Sequence, residues 1–247
     1  MLTIAGSDSG AGAGVQADAR TIHARGGYAL TAITAITAQN TRGVRRWRPV
    51  RADLVREQID AVLSDFKVAA IKTGLLPGAS AVRAVVETLK KFPAVPLVVD
   101  PVISSTSGTV FLPAAGLRVL KSELLPRATL VTPNWPEAEA LSGIAVGDVG
   151  GAEEAGREIL KTGCAAVLVK GGHGPGRRCI DLLVMRDERE AVLVRRFEGA
   201  RLMTKNTHGT GCVMSAAIAR ELGRGAAVVE AVERARAFLR EALITGK

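Results

Sequence analysis

Short, largely apolar runs alternate along this chain with longer segments in which apolar residues recur at helical spacing. The runs with the composition of buried strands are residues 2–5, 28–38, 68–71, 97–99, 130–132 and 165–169. The segments with helical spacing are residues 15–24, 52–66, 80–92, 117–124, 151–162, 210–222 and 226–243. This alternation predicts an α/β fold, with a mostly parallel central sheet and helices on both of its faces.

Further strands are predicted outside this parallel arrangement. Residues 44–50 are predicted to be a short edge strand within a basic cluster, and residues 180–185 and 192–197 flank a polar turn as an antiparallel hairpin. No internal repeat, low-complexity tract or linker interrupts these elements. We therefore expect one domain over residues 1–247.

Composition argues against several classes of protein. No run approaches the roughly 18 apolar residues that a membrane span needs, and the first residues lack the pattern of a secretory signal. Cys164, Cys179 and Cys212 are odd in number and have no CxxC spacing, which argues against a disulfide framework. We therefore expect a cytoplasmic protein without a membrane partner.

The net charge of +9 indicates an anionic ligand, which is either a nucleic acid or a smaller phosphorylated substrate. Base stacking needs aromatic side chains, and the chain has only five Phe, two Trp and one Tyr. The small phosphorylated substrate is the simpler interpretation, so we expect no nucleic-acid partner. A solvated, Arg-rich surface would give the same charge.

Polar residues follow most of the predicted strands. They are Asp8, Gln39, Lys72, Asp100, Asn134, Lys170 and Asn206. Because the carboxyl ends of parallel strands share one edge of a sheet, we expect these side chains to meet in one cleft. This convergence is the main argument from the residues alone for an enzyme.

The most informative stretch is KNTHGTGC at residues 205–212, directly before a predicted helix. Glycine lets the backbone approach a ligand closely, and the first N–H groups of a helix have no partner inside it. Gly209, Thr210 and Gly211 could therefore hold a phosphate oxygen, and the same field would lower the pKa of Cys212. An ordinary glycine-rich cap with a buried cysteine is the alternative.

Several other positions have both a structural and a functional interpretation. Asn134 and Glu137 have the spacing of a helix capping box, but an amide and a carboxylate at a strand end could also reach a hydrated Mg²⁺. Lys170 precedes two glycines and suits either phosphate contact or entry into a hairpin. Gln39 could read a polar ring or could form part of a turn.

Seven motifs in this order resemble the hydroxymethylpyrimidine/phosphomethylpyrimidine kinases of thiamin synthesis, which belong to the ribokinase-like superfamily. The motifs are GSDSG at 6–10, AQNT at 38–41, KTG at 72–74, VDPV at 99–102, TPN at 132–134, KGGH at 170–173 and KNTHGTGC at 205–212. The AQNT string favours this family over pyridoxal kinases of the same fold. The resemblance implies a ribokinase-like three-layer sandwich that uses ATP and Mg²⁺ to phosphorylate a pyrimidine hydroxymethyl group and then the monophosphate.

The same resemblance implies roles for individual residues. The substrate would be bound by Gly6, Asp8, Gln39, Leu75 and Val102, with Leu75 and Val102 as apolar walls. ATP would be bound by Asn134, Lys170, Lys205 and Thr207, and Mg²⁺ by Asp100 and Glu137. The anion hole would be formed by Gly209, Thr210 and Gly211. Cys212 stands where many ribokinase-like enzymes have an Asp base, so we hypothesise that it accepts the proton of the substrate hydroxyl.

Other functions remain open from the sequence. They are a pyridoxal or pyridoxine kinase of the same fold, and a non-catalytic protein that holds a pyrimidine for a partner. The intact loop before Cys212 argues against the second, because a mere binder has no need of a phosphate hole. Dimers are common among relatives, so we expect a homodimer.

Overall fold

The computed structural model describes residues 1–105, 108–202, 204 and 208–245. Within them, nine strands form one continuous sheet. The strands are β1 (Leu2–Asp8), β2 (Leu30–Asn40), β3 (Gly43–Pro49), β4 (Ile71–Thr73), β5 (Leu97–Val99), β6 (Leu130–Val131), β7 (Ala166–Val169), β8 (Arg178–Arg186) and β9 (Val192–Ala200).

The sheet runs in the order β3-β2-β1-β4-β5-β6-β7-β8-β9, and its middle is parallel. Strand β1 pairs in parallel with β2 and β4, and the parallel ladder continues through β5 and β6 to β7. Strand β3 is antiparallel at one edge, and the hairpin of β8 and β9 is antiparallel at the other. The predicted edge strand and the predicted hairpin are both confirmed.

Eight α-helices connect or follow these strands in the described part of the chain. They are α1 (Gly14–Ala24), α2 (Ala52–Asp65), α3 (Gly78–Leu89), α4 (Ala114–Val119), α5 (Trp135–Ser142), α6 (Val149–Leu160), α7 (Thr210–Leu222) and α8 (Val228–Thr245). Helix α4 continues into a π turn and a 3₁₀ turn that end at Arg127. None of the helices in the described residues has the length and apolarity to cross a membrane.

The two faces of the sheet bury different cores because successive side chains of a strand point to opposite sides. In β5, Leu97 and Val99 belong to a core that contains apolar residues of α2 to α6. Val98, between them, packs in a second core with Met214 of α7 and Val232 of α8. The layers are therefore helix, sheet and helix, and the predicted three-layer α/β sandwich is confirmed.

Three of the polar residues expected after strands lie inside them, and Asp8 is one of these because β1 extends through it. Strand β4 begins at Ile71 rather than at residue 68, so Lys72 is within the strand, where its charge is neutralised by Asp18. Strand β2 continues through Gln39, which pairs with Val44 of β3 after a β-bulge. The expectation that Asp8, Lys72 and Gln39 follow strand ends is wrong for all three.

Candidate active site

Asp100 and Lys170 form an ion pair at the carboxyl edge of the sheet. Asp100 follows β5, Lys170 follows β7, and the Lys170 Nζ lies 2.9 Å from Asp100 Oδ1. Thr132 and Ser215 also donate to the Asp100 carboxylate, each at 3.3 Å. Burial opposes the charge of Asp100, but the nearby ammonium groups of Lys170 and Lys72 keep its pKa lowered. The predicted convergence of strand-end residues is confirmed for this pair.

The N-terminus of α7 lies against this ion pair. A methyl group added at Gly211 would be 3.1 Å from the Lys170 Nζ and 3.8 Å from Asp100 Oδ2. Gly209 has a φ of +80° as the residue that caps α7, and a methyl group there would overlap the carbonyl oxygen of Gly12. Since the first N–H groups of a helix carry partial positive charge, the turn formed by Gly209, Thr210 and Gly211 has the polarity of an anion site. Its role as an anion hole stays a prediction.

Cys212 lies in the first turn of α7, as predicted, but its thiol is not activated there. Burial raises its pKa to about 11, although the Lys72 ammonium and the Gly14 N–H oppose that rise. The residue as a whole is half-buried, but its thiol is surrounded by protein. The expected lowering of the Cys212 pKa is wrong, because desolvation of the thiolate exceeds the favourable field.

A second ion pair lies within the core near Cys212. Lys72 Nζ is 2.8 Å from Asp18 Oδ2, and the side chains of both residues are fully buried. The Thr3 hydroxyl donates to the same Asp18 oxygen at 2.5 Å. Burial disfavours the Lys72 charge, but Asp18, the Cys212 thiolate and Asp100 together raise the pKa of Lys72. Lys72 is thus a fixed positive charge near Cys212 and Asp100.

Asn134 and Glu137 form the capping box that their spacing predicts. Asn134 N–H donates to Glu137 Oε2 at 2.8 Å, and Glu137 N–H donates to Asn134 Oδ1 at 2.9 Å. Burial raises the pKa of Glu137 to about 7 against the attraction of Lys170, and the Asp100 charge adds to the rise. The structural interpretation is confirmed. The same charges place Glu137 in the electrostatic neighbourhood of the Asp100 and Lys170 pair.

The described residues contain no group of three His, Cys, Asp or Glu side chains that could hold a metal by themselves. Asp100 and Glu137 offer two carboxylates, one fewer than such a group, and both interact with the Lys170 ammonium. The predicted metal and ATP-binding roles of Asp100, Glu137 and Asn134 stay predictions. Lys205 and Thr207 lie outside the described residues.

The Asp8 carboxylate organises the N-terminal glycine-rich loop. Its Oδ1 accepts from Gly10 N–H and its Oδ2 from Ala13 N–H, each at 2.8 Å. Burial opposes the charge, but hydrogen bonds from His208, Gly10 and Ala13 lower the pKa of Asp8 overall. Gln16 accepts from the Asp8 N–H at 2.9 Å and fixes the other end of the loop. Asp8 is therefore an ionised residue that shapes the loop.

His208 is a site residue that the sequence alone did not single out. Its Nε2 lies 3.1 Å from Asp8 Oδ2 and 3.3 Å from Gln39 Nε2. The ring lies so close to Gly12 that any side chain at Gly12 would overlap it. His208 therefore joins the turn before α7 to two of the predicted substrate residues, Asp8 and Gln39. Its position inside KNTHGTGC was the available signal.

An apolar cluster lies beside the N-terminal loop. It contains the two predicted wall residues together with four others, and its members are Ala35, Val44, Trp47, Leu75, Val102 and Phe111. The Trp47 and Phe111 rings meet edge to face, with centroids 5.4 Å apart. A methyl group at Gly6 would be 3.5 Å from Leu75 Cδ1, so Gly6 borders this cluster. The structure thus brings Gly6, Leu75 and Val102 together and adds two aromatic rings from the β2–β3 region and the loop after β5.

Comparisons with known proteins agree with this architecture. The sequence profile of the phosphomethylpyrimidine kinase family matches residues 8–247. The hydroxymethylpyrimidine/phosphomethylpyrimidine kinase of Rhizobium meliloti (strain 1021) is 46% identical over 243 residues, which are 98% of this chain and 89% of that protein. The crystal structure of phosphomethylpyrimidine kinase from Clostridium difficile 630 superimposes with a TM-score of 0.84 at 38% identity, over 98% of this chain and 97% of that one.

Pyridoxal kinase from Staphylococcus aureus in complex with ADP is also similar. Its TM-score is 0.88 at 32% identity, and the match covers 98% of this chain and 86% of that one. Fold and likeness together define a phosphotransferase of the ribokinase-like class. More particularly, this chain belongs to the phosphomethylpyrimidine kinase family.

Proposed function

We propose that this chain, as one kinase domain over residues 1–247, uses ATP to phosphorylate the hydroxymethyl group of an aminopyrimidine and then phosphorylates the monophosphate to the diphosphate for thiamin synthesis. The observation that carries the proposal is that Gly211, in the first turn of α7, lies beside the Lys170 and Asp100 pair, at the sheet edge expected for ligands. The names of its relatives support the substrate, and the ADP complex of its structural neighbour supports the nucleotide.

Lys170 and the start of α7 are suited to hold the phosphoryl group during transfer. Phosphoryl transfer needs charge stabilisation and alignment more than covalent chemistry. Among the described residues, Lys170 has the positive side chain nearest to Gly211, and the N–H groups of Gly209, Thr210 and Gly211 would add backbone donors. Backbone donors aimed at developing negative charge are worth roughly 3 to 4 kcal/mol each in related anion holes. Removal of Lys170 would therefore mainly slow the chemical step.

Asp100 and Glu137 are the residues that would hold Mg²⁺. Magnesium in kinases is bound through one or two carboxylates, with phosphate oxygens and water completing the octahedron, so two carboxylates are a sufficient protein set. The bound ion would neutralise negative charge on the phosphoryl group that is transferred. Asn134, Lys205 and Thr207 would bind the ATP phosphates from the adjoining loops.

We assign Cys212 to orientation of the substrate hydroxyl rather than to removal of its proton. A thiol whose pKa is about 11 is almost entirely protonated near neutral pH. In a loose transition state the bond to ADP is largely broken before the new bond to phosphorus forms, so the attacking hydroxyl needs little activation by a base. As the new O–P bond forms and ADP leaves, the hydroxyl proton can pass to an oxygen of the transferred phosphoryl group. Cys212 therefore acts as a hydrogen-bonding partner at the reacting oxygen.

The pyrimidine would lie between the apolar cluster and the N-terminal loop. Leu75 and Val102 give the ring apolar walls, Gly6 leaves room beside Leu75, and Gln39 would pair with the ring polar atoms. Asp8 would act through the shape of its loop and through His208. A pyridoxal kinase is the second candidate, because the S. aureus enzyme superimposes at least as well as the pyrimidine kinase from C. difficile. We expect a cytoplasmic homodimer with a small-molecule substrate.

The test is turnover of the purified chain with Mg-ATP and hydroxymethylpyrimidine, with pyridoxal in a parallel reaction. ADP release is followed, and each product is identified by mass. A monophosphate that proceeds to a diphosphate is the expected result, and Lys170→Met is the control for contaminating kinases. Turnover of pyridoxal alone would assign the chain to the second candidate. Tight pyrimidine binding without turnover would make it a binding protein on a kinase fold.

A further inference from the structure

The loop that follows Lys170 is held on one side by a buried carboxylate. Gly171 N–H donates to Asp181 Oδ1 at 2.7 Å, and Arg236 Nε donates to Asp181 Oδ2 at 2.7 Å. A side chain at Gly171 would overlap the Ile180 carbonyl oxygen, so the loop crosses β8 in close contact. These contacts fix the first residue of the loop but leave the rest of it to other partners.

Arg201 holds the remainder of the loop with its whole guanidinium group. Nη1 donates to the Gly172 carbonyl at 2.7 Å, Nη2 to the Gly174 carbonyl at 2.5 Å, and Nε to the Gly176 carbonyl at 3.0 Å. The Arg201 N–H also donates to the Arg177 carbonyl at 2.8 Å. Glycines lose more conformational entropy on ordering than other residues, so a loop with three of them in alternate positions needs such a set of contacts to stay in one shape.

Arg201 also has a particular place along the chain. It comes immediately after β9, which ends at Ala200, and it begins the segment that leads into α7 at Thr210. Its side chain therefore connects the end of β9 to the loop directly after Lys170. In the proposed function the phosphates of ATP would lie against Lys170, at the start of that loop.

The charges agree with this geometry. Burial lowers the pKa of His173, in the middle of the loop, and the positive charges of Lys170 and Arg201 lower it further. Both cations therefore act on the same short loop. A polyphosphate bound at Lys170 would experience the charge of Arg201 as well.

We propose that Arg201 is a positioning residue for the nucleotide: it locks the loop of residues 171–176 to the end of β9, and so holds Lys170, which precedes that loop, in place for the ATP phosphates. The inference rests on the proposed function, because it assigns the phosphates to that place. Lysine cannot replace Arg201, since a single ammonium has no planar fork to bond three carbonyls at once.

The experiment compares Arg201→Lys and Arg201→Ala with the control Arg196→Lys. Arg196 lies on β9, close to Arg201 in the sequence, and its side chain forms a half-exposed ion pair with Glu198. KM for ATP, KM for hydroxymethylpyrimidine, kcat and Tm are measured for each. For Arg201→Lys we expect KM for ATP to rise roughly tenfold and KM for the pyrimidine to change less than about twofold, because the lost fork acts on the nucleotide side. Guanidinium chloride at low concentration should restore part of the activity of Arg201→Ala.

A purely structural role gives a different pattern. Loss of folded enzyme lowers the maximal rate without changing KM for ATP, so an unchanged KM in Arg201→Lys would overturn the proposal even if kcat fell. If Arg201→Ala does not fold, Arg201→Lys alone decides. The affinity for Mg-ADP, measured by calorimetry, tests the role of Arg201 separately from the proposed function. It reports on Arg201 even if the wild-type chain does not phosphorylate the pyrimidine. Equal affinity in wild type and Arg201→Lys would also overturn the proposal.

Discussion

The Lys72 ammonium and the Asp18 carboxylate meet at 2.8 Å in a part of the core that solvent does not reach. Breaking such a pair on one side leaves an uncompensated buried charge, which typically costs about 3 to 5 kcal/mol. We expect Asp18→Asn to lower the free energy of unfolding by an amount in that range. Urea unfolding monitored by circular dichroism measures it.

The matched control is Glu87→Gln, which breaks the exposed pair of Glu87, on α3, with Lys90 directly after that helix. Exposed pairs contribute little to stability, so this variant should unfold at nearly the wild-type urea concentration. Equal destabilisation by the two substitutions would contradict the view that burial makes the Lys72 and Asp18 pair important.

The raised pKa of Cys212 predicts how stability changes at high pH. The thiol titrates near 9 in the unfolded chain and near 11 in the folded one. Between about pH 9 and about pH 11 the unfolded state therefore loses this proton first, which stabilises it and lowers the free energy of unfolding. Cys212→Ser should remove that part of the decline. The measurement is urea unfolding of both proteins across this range, and identical slopes would show that the folded thiol is not perturbed.

Cys212→Ser also tests the role of the thiol in the reaction. If Cys212 orients the substrate hydroxyl, serine can provide a similar hydrogen bond, and we expect kcat to stay within about tenfold of wild type. General bases usually contribute about 10² to 10⁴ in rate. A loss in that range, together with a wild-type KM for the pyrimidine, would restore the original hypothesis that Cys212 accepts the proton. Steady-state kinetics with saturating Mg-ATP distinguishes the two.

The close contact of Gly209 with Gly12 predicts that Gly209→Ala removes activity. Alanine is disfavoured at a φ of +80°, and its methyl group would overlap the Gly12 carbonyl oxygen, so the two loops must separate. We expect kcat/KM for ATP to fall by about 10² or more, as on loss of anion-hole donors. Gly147→Ala is the control, because nothing lies near its added methyl group and activity should be unchanged. Wild-type kinetics in Gly209→Ala would argue against this turn as the anion site.

His208→Ala should affect the pyrimidine more than the nucleotide. The His208 ring contacts Asp8 and Gln39, so its loss removes a support from two of the predicted substrate residues. Loss of hydrogen bonds to a charged partner is worth about 1.5 to 3 kcal/mol, so we expect KM for the pyrimidine to rise roughly tenfold or more. KM for ATP is measured in parallel, and His23→Ala on the exposed face of α1 is the control. An increase in KM for ATP alone would contradict this assignment.

Local signals in the sequence predicted local structure well. The capping box of Asn134 and Glu137 follows from a spacing of three residues, and α7 begins and ends at Thr210 and Leu222 as its pattern indicates. The order of strands and helices was sufficient to predict the layers. The alternation of apolar segments predicts the layers because a parallel sheet must bury both of its faces under helices.

Other properties could not be predicted because they depend on distant partners. Lys72 has the appearance of a strand-end residue until Asp18, on helix α1, is known to neutralise it. The Cys212 pKa depends on how much protein surrounds the thiol, which a position at a helix start does not reveal. Arg201 is one of many arginines in the sequence, and its contacts with glycine carbonyls are visible only in the folded chain.

The contact of His208 with Asp8 joins residues that are 200 positions apart in the sequence. Contacts of such long range form slowly, because the intervening chain must first be ordered. During synthesis, the first strand and its glycine loop leave the ribosome long before their partner has been translated. A nascent chain therefore has no assembled reaction centre until its final quarter emerges, and every ribosome that stalls before that point releases a fragment without activity.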